Sequence, residues 1–148
     1  MTVTATILLL IATGAWAGAI LFQSAIVAPS VFSALDAPSA RKFLRMLFPR
    51  FFRLGVICST LALATTIILG AAGGWQSRDV AMIGLSALMA LLAVGTLMMI
   101  PAINSARDAG ESGAVRFTAL HRMSVAATVI MLAIGLSLIA LVGTRAAG

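Results

Sequence analysis

Charged side chains are scarce in this sequence of 148 residues: 9% are Asp, Glu, Lys or Arg, 61% are hydrophobic, and the mean hydropathy is +1.13. A soluble domain carries about 25% charged residues, because its surface faces water. The shortage of charge therefore excludes a large soluble enzyme and a nucleic-acid-binding module, and it predicts that lipid surrounds most of the chain. The length allows one domain and about four apolar spans of about 20 residues each.

Cysteine and histidine occur once each, as Cys58 and His121. A single cysteine cannot form an intramolecular disulfide, and a zinc site needs three or four Cys, His or carboxylate ligands. Paired carboxylates within a span, nucleophile elbows and glycine-rich phosphate loops are also missing from the sequence. We therefore predict no catalytic residues and no metal ligands, and the cofactor stays unassigned. A haem- or metal-binding membrane oxidoreductase, with His121 as an axial ligand, stays an alternative.

Four long apolar segments are each predicted to cross a membrane as a helix, because a lone strand would leave backbone groups unpaired in lipid. Their bounds are Thr4–Ala28, Leu54–Ala72, Val80–Ile100 and Val125–Val142. The first is expected to end near Pro29 and the third near Pro101, since a proline ring interrupts the hydrogen bonds of a helix. The expected fold class is all-α, an integral membrane four-helix bundle in a single domain, 1–148.

Eight of the ten basic residues lie in the two segments that follow the first and third spans. An alternating topology brings these two segments to the same side, and Lys and Arg resist translocation. We therefore expect an integral plasma (inner) membrane protein with both termini outside and the basic loops 36–53 and 102–124 in the cytoplasm. Because the net charge of +6 is so localised, it does not indicate a nucleic-acid partner.

The segment Ala37–Arg53 is predicted to form a basic amphipathic helix before the second span. On a wheel of about 100° per residue, its five basic side chains fill one arc and its apolar side chains fill the opposite arc. Such a helix lies in, or angles from, the cytoplasmic interface, where anionic lipid attracts each basic residue by about 1 kcal/mol. Anionic lipid is the expected partner, and a dedicated site for an anionic ligand is the alternative.

Two short strings match at an offset of 72 residues, with five identities in nine positions. They are Pro29-Ser-Val-Phe-Ser-Ala-Leu-Asp-Ala37 and Pro101-Ala-Ile-Asn-Ser-Ala-Arg-Asp-Ala109. Each follows an apolar segment and precedes a basic one, which predicts a parallel internal two-helix repeat with halves of about 1–76 and 77–148. A cavity is then expected between the halves, near the two prolines.

The unusual polar residues concentrate at the predicted cytoplasmic end, and polar groups at membrane depth are costly and often functional. We expect a cavity there that binds or transports a small ligand, with three arginines attracting negative charge. The candidate ligand-binding residues are His121, Asn104, Gln23, Ser124, Arg50, Arg107, Arg122, Pro29 and Pro101. The alternative is a non-catalytic accessory or structural subunit, either as a homo-oligomer or beside a partner membrane subunit.

Several strings resemble the membrane family called domain of unknown function 4149. The more specific ones are Pro101-Ala-Ile-Asn-Ser-Ala-Arg-Asp108 and Leu120-His-Arg-Met-Ser124, and the resemblance extends over nearly the whole chain. The family is similar to eukaryotic transmembrane protein 205. The resemblance implies a four-helix integral membrane protein and brings no settled activity.

Overall fold

The computed structural model describes the backbone of residues 2–146 and the side chains of residues 2–144, so the Arg145 side chain lies outside it. The described part is helical throughout, apart from short turns. The elements are α1 (Thr2–Phe22), a π-helical segment (Gln23–Val27), α2 (Ala28–Ala34), α3 (Ala37–Gly73), α4 (Ser77–Asp108), a 3₁₀ turn (Gly110–Gly113) and α5 (Ala114–Ala146). α1, the π segment and α2 form one continuous helix, which leaves four helices long and apolar enough to cross a membrane.

The four helices form an antiparallel bundle in which neighbours in sequence are neighbours in space, and α1 closes the ring by packing against α5. Its centre holds fully buried side chains from every helix: Leu9, Trp16, Ala62, Met89, Met131 and Leu138. The expected all-α four-helix class is therefore confirmed. The turns at residues 35–36 and 109–113 lie at one end of the bundle. We call it the basic end, because the segments beside it carry the eight clustered Lys and Arg residues.

The helices continue past the prolines at which two of them were expected to end. The first extends to Ala34 and α4 extends to Asp108. Proline is tolerated in membrane helices because nearby groups and local changes in helix geometry satisfy the freed backbone groups. Before Pro29 the helix widens, and the Ala28 N–H donates to the carbonyl of Gln23, five residues back. Pro29 has no N–H and its ring crowds the carbonyl four residues before it, which explains a π segment at this point.

The predicted amphipathic helix Ala37–Arg53 is not a separate element but the first part of α3, which runs through Pro49 without a break. With 37 residues, α3 is about 55 Å long, against about 30 Å for the hydrocarbon core of a bilayer. Part of its apolar arc is buried, since Ala40 and Leu44 pack against Val31 of α2. α2 therefore folds back over the start of α3 at the basic end.

The opposite end is closed by a tight turn between α3 and α4. Gly74 takes the left-handed conformation (φ 69°) that glycine adopts without steric cost, and the Trp75 N–H donates to the Gly70 carbonyl at 3.2 Å. The Gln76 N–H donates to the buried Asp79 carboxylate at 3.1 Å, which caps the start of α4. The backbone N–H groups of Gly74, Trp75 and Gln76 thus all have partners in or beside the turn.

Candidate functional site

A cavity of about 1010 Å³ opens in the basic end of the bundle, lined by all four long helices. Ligand pockets typically enclose about 300–1,000 Å³, so this one lies at the upper end of that range. Its lining runs along the first helix from Ile20 to Leu35, along α3 from Ala37 to Phe52, and along α5 from Phe117 to Leu132. Each stretch rises about 22 Å at about 1.5 Å per residue, so the cavity is elongated along the bundle axis.

The floor of the cavity is apolar. It is formed by Ile20, Phe51, Phe52, Ile100 and Leu132. The Phe51 ring contacts Phe52 edge-on, at 5.0 Å between centroids, and contacts the buried Trp16 ring at 4.8 Å. Trp16 in turn lies against Gly55, where an added Cβ would come within 2.6 Å of the indole ring. The floor is therefore closely packed, and it separates the cavity from the rest of the core.

Above the floor, polar side chains from three helices face the cavity. They are Gln23 from the π segment, Asn104 from α4, and Ser124 and Thr128 from α5. Gln23 is 8% exposed and Ser124 is 9% exposed, and neither side chain makes a hydrogen bond with the described residues. The polar atoms of both side chains open onto the cavity and are not fully enclosed. The Thr128 hydroxyl already donates to the Ser124 carbonyl at 2.8 Å, so the amide groups of Gln23 and Asn104 and the Ser124 hydroxyl are the ones placed to hydrogen-bond a molecule inside the cavity.

Two arginines, Arg41 and Arg107, lie at the mouth of the cavity. Arg107 sits 4.5 Å above the Phe117 ring, and Phe117 stacks on His121 with 5.7 Å between centroids and 8° between planes. Arg41 and Arg45 are close enough to Arg107 to repel it electrostatically. The carboxylate of Asp108 is taken up by an ion pair with Arg45. Positive charge therefore exceeds negative charge at the mouth, which attracts anions to it.

The structure brings five of the nine predicted site residues together in this one cavity. They are Gln23, Asn104, Arg107, His121 and Ser124. The others lie elsewhere among the described residues: Arg50 borders a separate groove of about 270 Å³, whereas Pro29, Pro101 and Arg122 are exposed on outer faces. The two prolines shape the helices that border the cavity without lining it.

Helix geometry explains why two predicted arginines miss the cavity. On a helical wheel with about 100° per residue, the residues of α3 that line the cavity form one arc, and Arg50 lies about 140° from its centre. On α5, Arg122 lies about 90° from the centre of the arc that lines the cavity. The Arg50 guanidinium folds back along its own helix and donates to the Met46 carbonyl at 2.9 Å. It thus extends along the outer surface.

Sequence reasoning did not select Arg41, Phe117 and Thr128, or the phenylalanines of the floor, as site residues. Arg41 stands at the edge of the apolar arc of α3, and this position is the signal that could have placed it at the cavity. Thr128 shares a helix face with His121 and Ser124, which was visible in the sequence. The floor carried no such signal, because an apolar residue in an apolar helix looks the same whether it lines a cavity or fills the core.

The lining suits an anion with an apolar body better than a metal ion. Residues 2–144 include no group of three or more His, Cys, Asp or Glu side chains that could hold a metal. The polar groups that line the cavity are guanidinium groups, which only donate hydrogen bonds, and imidazole, amide and hydroxyl groups, which can donate and accept them. The guanidinium groups suit a negatively charged group, and the other polar groups suit neutral donors or acceptors.

The packed ring of four apolar helices defines an integral membrane protein of the four-helix class. More specifically, the chain belongs to the family described as domain of unknown function (DUF4149), which matches residues 11–112. No match was found among curated proteins or among solved structures. The matched range includes Gln23, Asn104 and Arg107 but ends before the Leu120–Ser124 string, so it is shorter than expected. The similarity to transmembrane protein 205 stays a prediction.

Proposed function

We propose that this protein binds a small anionic ligand with an apolar body in the cavity at its basic end. The observation that carries the proposal is that Gln23 and Ser124 both line this cavity and make no hydrogen bond with the described residues, although their side chains are only 8% and 9% exposed. Their polar groups open onto the cavity, where a bound molecule can supply hydrogen bonds. A site used only for packing would gain from apolar residues at these positions.

The arginines at the mouth of the cavity indicate the charge of the ligand. Arg41 and Arg107 both line the cavity, and Arg107 is partly buried, so its attraction for an anion is screened less than that of a surface charge. An arginine can also bind a carboxylate or phosphate through two parallel hydrogen bonds. A ligand whose negatively charged group lies at the mouth and whose apolar part lies toward Phe51 matches both the arginines and the apolar floor.

The bias of Lys and Arg favours a cytoplasmic basic end in a plasma (inner) membrane, with both termini outside. The basic face of residues 37–53 would then lie among anionic lipid headgroups. In that orientation the ligand reaches the site from the cytoplasmic side. The same site would serve transport if the end of the bundle that holds the Gly74–Gln76 turn opened alternately with the basic end.

Binding can be tested with anilinonaphthalene sulfonate, an anion with an apolar body whose fluorescence rises in apolar sites. The protein is placed in phosphatidylcholine nanodiscs, and empty nanodiscs give the non-specific signal. We expect a saturable component that weakens about tenfold in Arg107→Gln, because a hydrogen bond to a charged group is lost. The matched control is Arg50→Gln, which removes one positive charge from the same end but outside the cavity.

Two outcomes would count against the proposal. Wild-type protein without a saturable component would show that the cavity does not take an apolar anion. An equal loss in Arg50→Gln and Arg107→Gln would show that the probe responds to the overall charge of the basic end. Recovery of a stoichiometric partner chain together with either result would favour the accessory-subunit alternative.

A further inference from the structure

The ring of helices is not closed at the level of the cavity, because the first helix diverges from the bundle there. α1 packs against α5, but no Cα atom of the π segment or of α2 lies within 8 Å of one in α5 or α4 among the described residues. By the same measure the π segment does not approach α3 either, and only α2 does so, where Val31 packs on Ala40 and Leu44. From Gln23 onward a gap therefore separates the first helix from α5, and exposed residues that line the cavity stand at both of its edges.

Both edges of this gap are apolar. On the α2 side the cavity-lining Phe32 is 69% exposed, and on the α5 side the cavity-lining Val129 is 60% exposed. Val129 falls inside the predicted fourth span, so this edge lies at the depth of the hydrocarbon. A hydrocarbon chain can pass between such edges without contact with water.

Apolar contact alone does not retain a lipid in such a cavity, because the chain is already surrounded by hydrocarbon in the bilayer. Selection must therefore come from the headgroup. Along the axis, the lining presents arginine at the mouth, then amide and hydroxyl groups at Gln23, Asn104 and Ser124, and finally the apolar floor. This order matches an anionic group, then neutral hydrogen-bonding groups, then a hydrocarbon chain.

We infer that the ligand is an anionic single-chain lipid of the lysophosphatidate type, which enters from the bilayer between α2 and α5. Its phosphate meets Arg41 and Arg107, its hydroxyl and ester groups meet the amide and hydroxyl side chains, and its chain lies on the floor. A volume at the upper end of pockets for drug-sized molecules accommodates one chain rather than a diacyl lipid. This inference rests on the proposed function and specifies the ligand of the same site.

The two tryptophans allow a direct test. Trp16 is fully buried and contacts Phe51 of the floor, whereas Trp75 lies at the opposite end and can be removed as Trp75→Phe. Bromine atoms quench tryptophan only at short range. Trp75→Phe protein in phosphatidylcholine vesicles is therefore titrated with lysophosphatidate that carries a brominated stearoyl chain. The zwitterionic control is lysophosphatidylcholine with the same chain.

We expect saturable quenching of Trp16 by lysophosphatidate, with half-saturation at a mole fraction at least about tenfold lower than for lysophosphatidylcholine, because only the former lacks a compensating positive charge. Quenching that rises linearly, or equally with both lipids, would overturn the assignment of the ligand. If anilinonaphthalene sulfonate still binds in an Arg107-dependent way, the proposed function survives that failure. If it does not, both fail together.

The route of access is tested by narrowing the gap with Ala28→Phe, since Ala28 lines the cavity on the gap side. Ala25→Phe is the matched control, because Ala25 is exposed in the same helix and is not among the lining residues. We expect Ala28→Phe to weaken or slow the saturable quenching about tenfold and Ala25→Phe to leave it unchanged. Unchanged behaviour of Ala28→Phe would overturn lateral access.

If the helicity of Ala28→Phe shows that it does not fold, Ser24→Leu replaces it, because Ser24 also lines the cavity. The same loss of quenching is then expected, and its absence has the same meaning.

Discussion

At the end that holds the Gly74–Gln76 turn, α3 and α4 are joined by three residues whose backbone N–H groups all have partners in or beside the turn. At the basic end, α2 bends onto α3 while the first helix and α5 separate, and a cavity takes the place of the core. The same four helices thus form a packed half and an open half. The contrast indicates that the packed half supplies stability, so that the open half can tolerate polar groups without protein partners.

Hydroxyl groups of the two halves can also be compared. In the packed half, Thr13 and Ser59 each donate to the carbonyl four residues earlier, both at 2.7 Å. In the open half, Thr128 donates to the Ser124 carbonyl at 2.8 Å, but the Ser124 hydroxyl itself makes no hydrogen bond with the described residues and lines the cavity. Ser86 also lacks a partner, but it is 0% exposed and enclosed by the core. Access to the cavity, and not burial alone, distinguishes Ser124.

Overfilling the packing beneath the cavity should give the largest loss of stability. In Gly55→Ala the new Cβ would lie 2.6 Å from the Trp16 ring, which is fully buried and cannot move aside. We expect a loss of about 1–3 kcal/mol in the free energy of unfolding. Reversible unfolding in mixed micelles measures it.

The matched control is Gly95→Ala, because an added Cβ there meets nothing within 4 Å. We expect a gain of about 0.5–1 kcal/mol, since alanine has the higher helix propensity. Losses of similar size in the two variants would contradict the close contact between Trp16 and α3.

Replacing the aspartate at the start of α3 and the aspartate in the first turn of α4 should have unequal effects. Asp79 is buried and accepts a hydrogen bond from the Gln76 N–H, so Asp79→Ala should cost about 1 kcal/mol. Asp36 stands at the start of α3 but makes no capping hydrogen bond with its side chain, so Asp36→Ala should change stability little. The same unfolding assay compares them. Equal losses would mean that the two ends are capped alike.

Two Ser→Ala substitutions compare the hydroxyl groups of the halves. Ser59→Ala removes a buried hydrogen bond and should cost about 0.5–1.5 kcal/mol. Ser124→Ala removes a group without a protein partner, so stability should stay the same or rise, while anilinonaphthalene sulfonate binds more weakly. A stability loss in Ser124→Ala as large as that in Ser59→Ala would show that the Ser124 hydroxyl serves the protein and not a ligand.

The smallest effect is expected from the ion pair between Arg45 and Asp108, which joins α3 to α4 beside the mouth. Both side chains are about half exposed, so a double-mutant cycle should give a coupling of about 0–1 kcal/mol that decreases with added salt. A larger, salt-independent coupling would indicate that the basic end is as rigid as the packed end.

The sequence was sufficient to predict the helices and their number, because runs of about 20 apolar residues have one stable form in lipid. It misplaced the helix ends at Pro29 and Pro101. Proline favours a helix end in water, but in this bundle one proline is absorbed by a π segment and the other lies within α4. Whether a helix ends or adapts depends on its neighbours, which a single sequence does not record.

For the site, the sequence indicated the polar residues and the end of the bundle where they lie. Gln23 and His121 stood out because amide and imidazole groups are rare at membrane depth. Arg50 and Arg122 were grouped with them on charge, although the wheel positions place them on other faces. The gap between α2 and α5 left no mark in any one helix, since it arises from the divergence of the π segment and α2 from α4 and α5.

The most direct test of the open and packed halves compares the Ser124→Cys and Ser86→Cys variants, each in a Cys58→Ala background. A membrane-impermeant, negatively charged thiol reagent is added to inverted or right-side-out vesicles. We expect rapid labelling of the Ser124→Cys variant from the cytoplasmic face alone and no labelling of the Ser86→Cys variant. Equal labelling of the two variants, or labelling at Ser124→Cys from the opposite face, would contradict an anion-accessible cavity at a cytoplasmic basic end.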